Sequence, residues 1–209
     1  MRLSDPVAGT MTDETKVLRV FLAIALTESI QSGLRGLGEE LKAKFEGLPL
    51  RWAPVENIHL TLKFIGDVPE GMLAVIEEGT RKQAELVEPF VIKVGGLGVF
   101  PNARRPRIVW IGVQAAQGLR TLQEGIESEM SRLGYPPEER AFSPHLTLAR
   151  VQRKAGNRQV QEIGDLVSAE GTRLIGGMRV ETVSLFRSHL KPSGAEYEAV
   201  FSAELLAKD

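Results

Sequence analysis

The chain has 209 residues, 43% of them hydrophobic, and its 26 basic and 27 acidic side chains give a net charge of −1. That is enough to bury one good core, as one large domain or two small lobes, and too little positive charge to wrap nucleic acid by bulk attraction. The absence of cysteine excludes disulfides and thiolate metal sites and agrees with a reducing, cytoplasmic setting, while no apolar run approaches the roughly 18 residues of a membrane span.

Residues 1–16 are polar, broken by Pro6 and Gly9, and lack the apolar core of a signal peptide; they read as a disordered lead, with Met11 a conceivable alternative start. Residues 17–26 (VLRVFLAIAL) are apolar and partly β-branched, which predicts a strand. Thr27 and Ser29 can cap a helix over about 30–45, where Leu34, Leu37, Leu41 and Phe45 recur at helical spacing. A loop with Pro54 spans 51–57 and a strand 58–65, ended by Gly66-Asp67; helical spacing resumes over 69–87 and a strand follows over 89–99. The second half opens with Pro101 and an Arg-rich loop, then a strand at 107–113 (RIVWIGV) and an amphipathic helix at 119–133 stopped by Gly134. A strand at 143–151, a basic loop, a weaker helix at 156–168 and strands at 172–187 and 197–205 complete the pattern.

The order strand, helix, strand, helix, strand therefore occurs twice, in halves of about 17–100 and 101–209 within one domain of 17–209. Both inner strands carry the same tetrad: His59-Leu60-Thr61-Leu62 and His145-Leu146-Thr147-Leu148, which hold two of the three histidines in the chain. Along a strand, residues i and i+2 share a face. Each tetrad thus offers an imidazole and a hydroxyl to one surface, pointing toward solvent, and two leucines to the core. Duplicated halves imply a pseudo-twofold with a cleft between them, a favoured place for a ligand.

The tetrads, in the contexts NIHLTLKFIG and FSPHLTLAR, resemble the 2H phosphoesterase superfamily. RVFLAI, PRIVWIGV, the Arg140-Ala141-Phe142-Ser143-Pro144 lead-in and Ser184-Leu185-Phe186-Arg187-Ser188 narrow the resemblance to the RNA 2′,3′-cyclic phosphodiesterases, also called 2′-5′ RNA ligases. The resemblance covers about 17–205. It implies an α+β fold of two lobes, each an antiparallel sheet backed by helices, with the tetrads facing across the groove. It also implies that His59 is the proton donor, His145 the proton acceptor, and that the partner is RNA or a nucleotide with a 2′,3′-cyclic phosphate end. A monomer without cofactor is expected.

The chemistry agrees. Opening a cyclic phosphodiester needs a base for water, an acid for the departing ribose oxygen, and donors for the phosphoryl oxygens. Histidine titrates near neutrality, so one neutral and one protonated imidazole can serve without metal, and Thr61 and Thr147 can donate where charge develops. No His-x-x-x-His or flanking carboxylate suggests a metal site. The stretch Val94 to Gly98 lacks the pattern of a nucleotide-cofactor loop.

Other candidates have competing bland roles. Alternation puts Lys63 on the face of His59 and Thr61, where it could hold phosphate or be a solvated strand-end lysine. The same alternation puts Arg150 opposite His145. Phe100 and Phe142 could stack a base or pack in the core. Arg104, Arg105 and Arg107 could steer RNA, although short basic loops are mostly solvated surface. His189 lacks a Thr partner and reads as surface. Hydrolysis, the reverse 2′-5′ ligation, and non-catalytic binding of RNA ends are the three functions left open, and intact tetrads speak against the last.

Overall fold

The computed structural model describes residues 16–114, 116–191 and 194–206, so the expected lead lies, but for Lys16, outside the described residues. The chain enters as β1 (Val17–Ile24), whose Val20, Leu22, Ala23 and Ile24 are fully buried. Helix α1 (Glu28–Lys44) buries Ile30, Leu34, Leu37 and Leu41 on one stripe. Thr27 stands at its N-cap, but the Thr27 side chain makes no capping hydrogen bond.

The segment expected as a loop holds a short strand, β2 (Leu50–Trp52), and a 3-10 turn at Val55–Asn57. The first tetrad strand, β3 (Leu60–Pro69), runs past Gly66, which bends it at φ +93° without ending it. Then follow α2 (Leu73–Ala84), β4 (Phe90–Phe100), β5 (Ile108–Gln114) and α3 (Gln117–Arg132). Gly134 (φ +93°) stops α3 as expected: its N–H donates to Ser131 O and that of Tyr135 to Met130 O, the bond pair of a Schellman motif. The second tetrad strand β6 (His145–Val151), α4 (Asn157–Ala169), β7 (Leu174–Val180), β8 (Thr182–Lys191) and β9 (Gly194–Glu204) complete the chain. Residues 172–187, expected as one strand, are two: the chain turns at Glu181 and passes from one sheet to the other.

Both sheets are antiparallel, with orders β3-β1-β8-β9 and β2-β6-β5-β4-β7. Written β3-β1-β8-β9 against β6-β5-β4-β7, the sheets correspond strand for strand, and β2 is an added edge. The sequence halves and the sheets are nevertheless different divisions. Strand β4 of the first half leaves to pair with β5, and β8 of the second half takes the equivalent place beside β1. Helices α2 and α3 pack together and back the first sheet, while α1 and α4 lie against β7 and β4 of the second. At Gly33 a Cβ would lie 2.6 Å from the Ile175 side chain, so α1 can seat this closely on β7 only without one. All four tetrad leucines are buried between sheets and helices.

Candidate active site

The edge strand β3 of one sheet approaches β6 of the other, and a cleft of about 460 Å³ opens between them. His59, Thr61, His145 and Thr147 all line it. His59 sits one residue before β3 and His145 begins β6.

The two histidines are held by the same local device. His145 Nδ1 lies 2.7 Å from Ser143 O, two residues upstream. A carbonyl only accepts, so Nδ1 carries the proton and the neutral ring keeps its Nε2 lone pair free. The His59 ring likewise hydrogen-bonds to the backbone two residues upstream, at Asn57. Each ring also meets a phenylalanine from the third strand of its sheet: Phe186 of β8, at 5.9 Å from His59, and Phe100 of β4, at 4.9 Å from His145.

Their wider surroundings differ. His59 stacks on Phe21 at 4.6 Å and takes the Tyr197 ring edge-on at 5.0 Å. Half-buried in these rings, it does not stand in open solvent as the alternation suggested. Burial pushes its pKa down to about 4, against the opposing pull of the Asn57 hydrogen bond. His145 has Trp110 at 6.2 Å and, further along β6, Arg150, which with Arg51 lines the same cleft.

Both tetrads end in a β-bulge at the same place. Thr61 pairs with Ala23 and Lys63 with Leu22, leaving Leu62 unmatched; Thr147 pairs with Trp110 and Ala149 with Val109, leaving Leu148 unmatched. The extra residue shifts the alternation by one. This overturns two expectations. Lys63 does not share the cleft with Thr61: it is 4% exposed, and its Nζ donates to Glu127 Oε1 on α3 and to Pro136 O, both at 2.6 Å. Arg150, expected on the far face, lines the cleft.

Neither aromatic candidate is among the residues that line the cleft: Phe100 packs edge-on behind His145, and Phe142 is partly buried against the core. His189 Nε2 lies 2.8 Å from Glu198 Oε2 on the β8–β9 hairpin. The Arg104 and Arg105 backbone N–H groups donate to Asn102 Oδ1 in a surface turn. Sequence reasoning missed Arg51, Asn57 and Tyr197, which line the cleft. Asn57 Nδ2 donates to Ala195 O at 2.9 Å, tying the approach to the first tetrad to β9. Only the Pro-bearing stretch just before the tetrad hinted at any of them.

The fold and cleft define a phosphoesterase-like protein of duplicated α+β build. The chain belongs to the LigT-like phosphoesterase family, which it matches twice in succession, over residues 24–110 and 111–197. It is 39% identical over 181 residues to an RNA 2′,3′-cyclic phosphodiesterase of Methanothermobacter thermautotrophicus, spanning 86% of this chain and 95% of the relative. The corresponding protein of Aeropyrum pernix is 35% identical over 159 residues, spanning 76% and 88%. A solved structure from Thermus thermophilus superposes with a TM-score of 0.75 at 28% identity, covering 90% of this chain and 98% of its own.

Proposed function

We propose that this chain is a cyclic phosphodiesterase that opens 2′,3′-cyclic phosphate ends of RNA to 2′-phosphomonoesters by metal-independent two-histidine catalysis. The observation that carries the reading is the pair of identically tethered imidazoles lining one cleft, each with its threonine two residues on. His145 Nε2 takes a proton from water as the water oxygen bonds to phosphorus. The bond from phosphorus to the ribose 3′ oxygen breaks, and that oxygen takes its proton from His59. Thr61 and Thr147 donate to the non-bridging oxygens, and Arg150 adds positive charge at the rim.

His59 as proton donor has a condition. With a pKa lowered to about 4, its ring is neutral at pH 7 unless an anion lies beside it. The phosphate supplies that charge, so binding the substrate loads the acid with its proton. The chain works as one bilobal domain, because β4 and β8 each complete the sheet of the other half.

Incubation with a 2′,3′-cyclic nucleotide in EDTA, followed by locating the phosphate in the product, tests this. A 2′-phosphate formed at undiminished rate is the expected result. Dependence on a divalent ion, or a 3′-phosphate, overturns it.

A further inference from the structure

Phe64 alone among the described phenylalanines and tryptophans is exposed, at 50%. It follows the bulge at Leu62, three residues beyond Thr61, and so occupies in the first sheet the place that Arg150 holds in the second. Its ring belongs to a series of nearly parallel rings that leads away from the catalytic candidate. Phe21 stacks on His59 at 4.6 Å and 26°, and Phe64 lies beyond Phe21 at 6.5 Å and 15°. Phe186 flanks Phe21 at 5.4 Å and 12°. Over Phe64 stands the Arg19 guanidinium, 4.8 Å from the ring centre, and its exposed pairing with Asp67 is long at 3.6 Å.

Covering Phe21 would be achieved as well by an aliphatic side chain; a flat, half-exposed ring beside a loosely held cation is suited to more. Single-stranded nucleic acid is bound by that combination, a base stacked on an aromatic face and a nearby positive charge for its phosphate. Arg150 and Arg51 line the cleft itself, whereas Phe64 and Arg19 lie outside its lining, beyond Phe21 on the His59 side.

We propose that Phe64, assisted by Arg19, is a nucleobase-stacking subsite for the nucleotide that precedes the one bearing the cyclic phosphate. The inference rests on the cyclic phosphodiesterase reading above and deepens it: the substrate is an RNA strand, bound more tightly than a mononucleotide.

The test compares wild type, Phe64→Ala and Phe64→Trp on a 2′,3′-cyclic mononucleotide and on a short oligoribonucleotide with the same terminus. Phe64→Ala is expected to raise KM for the oligonucleotide by roughly 5- to 150-fold, the worth of one stacked base. Oligonucleotide kcat and mononucleotide KM should stay near wild type, Phe64→Trp should restore the affinity, and the oligonucleotide should quench its added indole fluorescence. Equal losses on both substrates, or no loss on the oligonucleotide, overturn the subsite. If wild type turns over neither substrate, the phosphodiesterase reading fails by itself. The fluorescence titration of Phe64→Trp then still decides the subsite, with unquenched emission counting against it.

Discussion

His59 and His145 come from identical tetrads, are tethered to a carbonyl two residues upstream, and are followed by bulges at the same leucine, yet they stand in unlike neighbourhoods. His59 is packed among Phe21, Phe186 and Tyr197, rings delivered by three other parts of the chain. His145 looks across the cleft from a strand whose outer end carries Arg150 beside Arg51. Local sequence thus tethers each imidazole in the same way, while the rings that the rest of the fold brings against His59 hold its pKa down. The acid and base proposed for this site thus stand in different surroundings on a symmetric scaffold.

Mutating the histidines tests the symmetry most severely. His59→Ala and His145→Ala should each lower kcat by about 10²–10⁴-fold, as for a lost general acid or base. Unfolding should separate them: His59→Ala also loses three ring contacts and should melt lower than His145→Ala. Near-normal turnover in both, measured by initial rates, would make the imidazoles structural.

The bulges predict a second contrast, between Lys63 and Arg150. Lys63→Ala empties a buried site and leaves the partly buried Glu127 with only the Glu138 N–H, and should cost about 3 kcal/mol of stability in denaturant titration. Arg150→Ala should leave stability nearly intact and raise KM. A reversed outcome would restore the simple alternation that the bulges break.

The acid limb sharpens the comparison further. Unfolded His59 takes up a proton below about 6.5, whereas the folded protein does so only near 4. Between those values the unfolded state holds more protons, so stability present above pH 6.5 is lost as pH falls to 4, by about 3 kcal/mol. His59→Gln should flatten that segment of the stability–pH curve. A curve unchanged by His59→Gln would show that its ring is not desolvated in the fold.

Smaller effects belong to the hydroxyls and the third histidine. Thr61→Val and Thr147→Val should each cost about 1.5–3 kcal/mol of transition-state binding, read from kcat/KM, because one hydrogen bond to a charged oxygen is lost. His189→Ala, which removes only the surface pair with Glu198, should change turnover little.

Much of this protein is legible in its residues taken singly. The tetrads, their leucines in the core, the strand–helix order of each half and the stop at Gly134 follow from periodicity and from the conformational freedom of glycine. These are local properties, set by which face of a strand or helix a side chain occupies. Three things were decided only by the folded chain. The exchange of β4 and β8 between sheets depends on which strands find each other as partners. The bulges at Leu62 and Leu148 are properties of paired strands, and they turned Lys63 into the core and Arg150 into the cleft. The ring cluster that neutralises His59 assembles Phe21, Phe186 and Tyr197 from distant segments. A repeat of two residues can say which way a side chain faces its own strand, but it cannot say what waits on the other side.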